Sequence, residues 1–137
     1  MSDSFKAVVI NNESENFTRE VKELNLDHFK DGEVLVKIDY SDLNWKDAMI
    51  LKDGGKLVKE YPRIPGIDFS GTVAQGHGEE FKEGDRVILT GCRAGELFDG
   101  GYAQYTKVKS EHITKTPEGM NNRQAMILGT AGLTALL

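Results

Sequence analysis

The chain has 137 residues, of which 17 are basic and 22 acidic, so its formal net charge is −5 at pH 7. Such an acidic chain lacks the basic face that binding to nucleic acid or to an anionic membrane requires, and we expect neither partner. Its hydrophobic and charged fractions, 39% and 28%, are typical of a globular domain, and the single cysteine, Cys92, excludes a disulfide framework and indicates a cytoplasmic location.

Short β-branched and aromatic runs separated by glycines predict a mainly β chain. Between residues 34 and 41, apolar Val34, Val36, Ile38 and Tyr40 alternate with other residues, as in a half-buried strand. The segment 17–24 has three apolar residues at helical spacing but is short, and we predict a strand there. The predicted strands are 6–10, 17–24, 34–41, 68–74, 86–90, 102–108 and 113–115, whose even scatter favours a barrel or sandwich over a doubly wound sheet.

Two helices are predicted. The first covers residues 45–51, with Asn44 as its N-cap and Gly54 beyond its end. The second begins at Asn121 or Asn122 and runs to the last residue, and it contains no charged residue after Arg123. An apolar end of this kind favours the front part of a longer protein, while a docked terminal helix is the alternative.

The soft metal ligands of the chain are Cys92, His28, His77 and His112, and none lies at a chelating interval from another. Because zinc needs three or four protein ligands, we expect no dedicated metal site. Cys92 has no histidine nearby in sequence, so a small buried or loop thiol is favoured over a nucleophile. No glycine-rich phosphate-binding turn occurs, and any such turn for a dinucleotide must lie outside this chain.

Three segments combine polar or small residues with the ends of predicted elements: SDLNWKDAM at 41–49, YPRIPGIDFSGTV at 61–73 and GTAGLTA at 129–135. Strand ends are where scaffolds present reactive groups. Each segment also has a purely structural interpretation. Asn44 can cap a helix with Trp45 packed beside it, Asp68 can satisfy backbone N–H groups in a rigid turn, and small residues allow close approach of another backbone.

Taken in order, the motifs NWKD, PxxPGIDFSGTV, EGDRV, GGYAQY and GTAGLTA make the chain resemble the N-terminal part of the medium-chain dehydrogenase/reductase superfamily. The resemblance is to its zinc-independent quinone oxidoreductases, particularly the acrylyl-CoA reductase subgroup. It implies a mainly β, GroES-like (chaperonin-10-like), partly open barrel over residues 1–120. Residues 121–137 would begin the helix that leads into a Rossmann domain outside this chain.

The resemblance also implies the chemistry. Where zinc-dependent alcohol dehydrogenases of the superfamily carry a ligand cysteine and a ligand histidine, this chain has Asn44 and Ile67. Zinc-free hydride transfer is therefore implied, from NADPH to the β-carbon of an α,β-unsaturated carbonyl compound, followed by protonation at the α-carbon. The substrate would be a small molecule, an acryloyl-CoA-like enoyl thioester or a quinone, and the parent protein a homodimer.

The resemblance places Asn44 and Trp45 near the nicotinamide, and Thr130 and Thr134 along the same cleft from the helix side. Gly66 and Asp68 are assigned to turn architecture.

Three candidates are open for the proton donor: Tyr61, Asp47 and a bound water. The alternative from another class of function is a free-standing GroES-like barrel that serves as an interaction module without redox activity.

Overall fold

The computed structural model describes residues 3–137 and confirms a mainly β chain; the first two residues of the predicted barrel domain lie outside the described ones. Two α-helices and seven strands occur in the described part of the chain, in two antiparallel sheets. In chain order the elements are β1 (Ser4–Glu13), β2 (Asn16–Asn25), β3 (Val34–Ser41), α1 (Trp45–Asp53), β4 (Asp68–Gln75), β5 (Arg86–Thr90), β6 (Tyr105–Val108), β7 (Thr114–Lys115) and α2 (Asn122–Leu136).

A hairpin of β1 and β2 forms the first sheet. Phe17 pairs with Asn12 and Val21 with Val8, so the segment with helical spacing is a strand, as predicted. Because β2 pairs with β1 along its whole length, its backbone N–H and C=O groups are satisfied as a strand. The helical spacing of its apolar residues therefore does not decide its structure. Leu24 packs with the buried Phe5 and its neighbours.

The second sheet has five strands in the order β6-β3-β4-β5-β7, and its strands contribute most of the main core. That core consists of buried apolar residues on β3, β4 and β5 and in neighbouring segments: Val34, Val36, Phe69, Val73, Phe81, Val87, Leu89, Ala94, Val108 and Ile113. The hairpin is bridged to the segments that precede β6 and β4, by Ala7 to Ala103 and by Ile10 to Arg63. The sheet does not close on itself, which confirms the expected partly open barrel.

The strand predicted at 102–108 is shorter than expected, because β6 begins at Tyr105. Residues before it hydrogen-bond to other segments: the N–H of Tyr102 donates to the carbonyl of Pro65, and that of Gln104 to Lys6. Gly66 permits the close approach of its own loop to the segment around Tyr102. Its φ is +105°, and a Cβ there would lie 2.8 Å from the backbone nitrogen of Tyr102.

Helix α1 begins at Trp45 and is closed by Gly54 in the left-handed conformation, as predicted. Helix α2 begins after its cap Asn121, but the prediction of a continuous helix is wrong at Gly129, where φ is 49° and ψ is −166°. Its first half buries Ala125 and Met126, whereas Leu133 and Leu136 in its second half are exposed. Within the described residues, no helix is long and apolar enough for a membrane span.

Candidate active site

Asn44 lies at the junction between β3 and α1, surrounded by three carboxyl groups. Its Nδ2 donates to Asp42 Oδ1 at 2.8 Å, to Asp47 Oδ2 at 3.1 Å and to Asp68 Oδ2 at 3.2 Å. The residue is 8% exposed; its buried Oδ1 faces the backbone N–H of Asp47 in a capping box but makes no hydrogen bond of normal geometry with the described residues. We call Asp42, Asp47 and Asp68 the carboxyl cluster.

Asp47 is fully buried and fixes the start of α1. Its Oδ2 accepts a hydrogen bond from the backbone N–H of Asn44 at 2.9 Å, and its Oδ1 accepts one from the N–H of Ile67 at 2.9 Å. An acidic side chain in the first turn also interacts favourably with the helix dipole. Asp47 therefore ties α1 to the loop that precedes β4, and its role as a proton donor stays a prediction.

Asp68 connects β4 to two other segments. Its Oδ1 accepts from the N–H of Gly91 at 3.1 Å and from Thr130 Oγ1 at 2.7 Å, and its Oδ2 accepts from the N–H of Thr130 at 2.8 Å. The break in α2 at Gly129 frees the Thr130 N–H, which inside a continuous helix would bond to the preceding turn. Asp68 thus satisfies backbone groups and also positions Thr130.

Asp42 is half-buried. Burial raises its pKa to about 7; a hydrogen bond with the Asp68 carboxyl and the charges of Asp68 and Asp47 act in the same direction, while the hydrogen bond from Asn44 lowers it. The phenol of Tyr102 donates to the backbone carbonyl of Asp42 at 2.8 Å. Burial, followed by the charge of Asp47, raises the pKa of Tyr102, so this phenol stays protonated as a donor.

The structure brings together most of the residues singled out in the sequence. Asn44, Asp47 and Thr130 meet through the carboxyl cluster, and Thr134 follows one turn later, its Oγ1 donating to the carbonyl of Thr130 at 2.7 Å. Trp45 directly follows Asn44 and is 82% exposed, so it is not the packed residue of the structural interpretation.

Tyr61 lies apart, in a cluster with the buried Ile10, Ile50 and Val58. Its ring meets that of Phe17 edge to face at 6.3 Å, and burial raises its pKa. A Cβ on Gly54 would lie 2.1 Å from the Tyr61 hydroxyl oxygen, so this hydroxyl is packed against the end of α1. Its role as a proton donor stays a prediction.

Sequence reasoning missed Asp42 and Tyr102. Asp42 had a detectable signal, an acidic residue two positions before Asn44 at a strand end. Tyr102 belongs to the GGYAQY motif, but no local pattern links it to the carbonyl that its hydroxyl contacts, because 60 residues separate the two.

A separate cavity of about 340 Å³ contains none of the predicted site residues. Its wall includes His28, Phe29, Leu89, Phe98 and His112. Among residues 3–137, no three His, Cys, Asp or Glu side chains are placed to hold a metal ion. The three carboxyl groups of the cluster instead share one hydrogen-bond donor, the Nδ2 of Asn44.

Comparison with known proteins points in one direction. Residues 30–118 match the alcohol dehydrogenase GroES-like domain. The acrylyl-CoA reductase AcuI of Ruegeria pomeroyi is 45% identical over 135 residues, which are 97% of this chain and 41% of that protein. The chain therefore spans about two fifths of the length of such relatives.

Two solved structures share the fold over nearly the whole chain. The yhdH oxidoreductase of Salmonella enterica, in complex with NADP, aligns with a TM-score of 0.91 at 37% identity over 96% of this chain and 40% of that one. The yhfP protein of Bacillus subtilis, with NAD bound, aligns with a TM-score of 0.92 at 36% identity over 98% and 41%.

Proposed function

We propose, from the family to which this chain belongs, that it is the substrate-side part of an NADPH-dependent oxidoreductase. That family is the alcohol dehydrogenase GroES-like domain family, within the zinc-independent branch of the medium-chain dehydrogenases/reductases. The parent protein would reduce the C=C bond of α,β-unsaturated carbonyl compounds, such as acryloyl-CoA-like enoyl thioesters or quinones. Residues 1–120 would form the GroES-like domain, and residues 121–137 would begin the helix to a cofactor-binding domain.

The observation that carries the proposal is the network around Asn44. Hydrogen bonds of 2.7 to 3.2 Å join the end of β3, the start of β4 and the break in α2 through Asn44, Asp68 and Thr130. Residues that are distant in sequence are thus held in one rigid arrangement, as a site that must orient a cofactor against a substrate requires.

The residues predicted to face the cofactor fit a nicotinamide. The buried Oδ1 of Asn44 is a hydrogen-bond acceptor without a partner among the described residues, and a carboxamide N–H is a donor that would satisfy it. The exposed indole of Trp45 offers an apolar face to a flat ring.

Asn44, Trp45, Thr130 and Thr134 would therefore hold the nicotinamide end, which supplies hydride when bound. The polar groups of this chain would orient the substrate carbonyl and stabilise the developing enolate charge.

The test is NADPH oxidation by the full-length parent with acryloyl-CoA, crotonoyl-CoA and a benzoquinone. We expect turnover with at least one of these substrates, and about a 10²-fold loss of kcat/KM in Asn44→Ala, since a preorganised polar contact at the reacting end is removed. Trp45→Ala should mainly raise the KM for NADPH. Asn16→Ala, at an exposed position in the hairpin, serves as the control. Unchanged rates in both site variants would remove the site assignment.

Turnover by the full-length parent separates this proposal from an interaction module, which would show none. We expect NADPH to bind the 137-residue chain alone weakly and turnover by it to be absent, because the proposed cofactor-binding domain lies outside it. The parent is proposed to be a homodimer, which its mass in solution would test.

A further inference from the structure

The three members of the carboxyl cluster differ in how many hydrogen-bond donors they receive. Asp68 accepts four hydrogen bonds, including two from backbone N–H groups. Asp47 accepts three, also including two from backbone N–H groups. The Asp42 carboxyl accepts one from the described residues, from Asn44. Donors stabilise the carboxylate form, so a proton shared by the cluster is held most favourably on Asp42.

The three also differ in access. Asp47 and Asp68 are fully buried, whereas Asp42 is half-buried and can exchange a proton with a bound molecule or with solvent. The buried Asn44 amide, whose Oδ1 lacks a partner among the described residues, lies beside it. A proton-holding group and an unsatisfied acceptor are thus adjacent where the cofactor is proposed to bind.

Gly129 allows Asp42 to sit next to the helix side of the same cleft. A Cβ at Gly129 would lie 1.9 Å from Asp42 Oδ2 and 3.2 Å from Asp68 Oδ2, so only a residue without a side chain fits there. The Asp42 carboxyl is therefore packed between the strand end that carries Asn44 and the backbone that leads into Thr130.

Resting on the proposed function, we propose that Asp42 is the catalytic acid that protonates the α-carbon after hydride transfer. The cofactor, when bound, would supply the hydride for the new C–H bond at the β-carbon, which leaves an enolate on the substrate. The Asp42 O–H bond then breaks, its proton forms the C–H bond at the α-carbon, and the Asp42 carboxylate is left. Solvent returns a proton to this half-buried group. NADPH is oxidised to NADP⁺, and the substrate gains two hydrogens.

The electrostatic surroundings of Asp42 support this role. The groups that face it are the carboxyls of Asp68 and Asp47, the amide of Asn44 and the phenol of Tyr102. With a pKa of about 7, the Asp42 carboxyl is partly protonated near neutral pH and can both lose and regain a proton during turnover. Donation leaves two like charges side by side on Asp42 and Asp68, which favours return of the proton.

The test uses the full-length parent with its best substrate. In Asp42→Asn, an isostere of the protonated acid, we expect kcat to fall about 10²-fold with KM changed less than about twofold. The wild-type kcat should decline above pH 7 as Asp42 ionises, and the variant should lose this limb. Asp31→Asn, which removes the same charge at an exposed site, should behave as wild type.

Asp42→Ala supplies a second variant, because a small acid can occupy the space left by its carboxyl. Added formate should restore part of its activity without affecting the wild type, which a purely structural role does not predict. If Asp42→Asn keeps the wild-type kcat and pH limb, or if formate does not restore Asp42→Ala, the assignment of Asp42 is wrong while the proposed reductase activity stands. Absence of turnover by the wild-type parent would instead overturn the proposed function, and this inference with it.

Discussion

The raised pKa of Asp42 predicts how the free energy of unfolding depends on pH, and this can be measured without a cofactor. The pKa of Asp42 is raised from 3.8 to about 7 in the folded chain. Between these values the folded state holds a proton that the unfolded state has lost. The free energy of unfolding therefore falls as pH rises from about 4 to 7 and is constant above that range. Asn cannot titrate, so Asp42→Asn removes this dependence.

The size of the effect follows from the shift. Raising the pKa from 3.8 to about 7, at about 1.4 kcal/mol for each tenfold change in proton affinity, gives a ceiling of about 4 kcal/mol. Asp42 is only half-buried, and solvent screening reduces the effect, which we place at about 1–2 kcal/mol. At pH 8 Asp42→Asn should be more stable than the wild type by this amount, and at pH 3.5 the two should be alike.

Urea unfolding of the 137-residue chain at pH 3.5, 5.5, 7 and 8 measures this difference. Carboxyl groups outside the cluster titrate equally in both proteins, so the difference between them reports on Asp42 together with its coupled neighbours Asp68 and Asp47. The exposed Asp31→Asn is the control and should differ from the wild type by less than about 0.5 kcal/mol at each pH. If the free energies of unfolding of Asp42→Asn and wild type differ by the same amount at pH 3.5 and at pH 8, the reasoning is wrong.

The remaining predictions concern packing. Gly129→Ala should destabilise the chain by about 2–4 kcal/mol in urea unfolding, because φ there is +49° and the new Cβ displaces the Asp42 carboxyl; an unchanged midpoint would contradict this geometry. Phe69→Ala, in the centre of the main core, should cost about 3–5 kcal/mol, against less than about 0.5 kcal/mol for Val21→Ala at a position that is 71% exposed. Equal losses would mean that the core is placed wrongly. The isolated chain should self-associate through exposed apolar residues in the second half of α2, and Leu133→Lys should lower its apparent mass in size exclusion; a monomeric wild type would argue against this.

Where structure depends on local pattern, the sequence was sufficient. Strands β3 and β5 have the predicted bounds. Alternation in β3 and the short apolar run in β5 are both properties of neighbouring positions. The start of α1 after Asn44 and its end at Gly54 follow from caps that act within one turn. The motifs around Asn44 and Thr130 also contain residues that the structure brings together through Asp68.

Tertiary structure alone decided the rest. The break at Gly129 is invisible in an apolar helical pattern, because its partner, the Asp68 carboxyl that receives the freed Thr130 N–H, is 62 residues away from Thr130. Asp42 is ordinary in sequence and gains its raised pKa only when folding brings Asp68 against it and removes water. Burial and charge proximity are properties of the folded arrangement, and no short-range pattern encodes them.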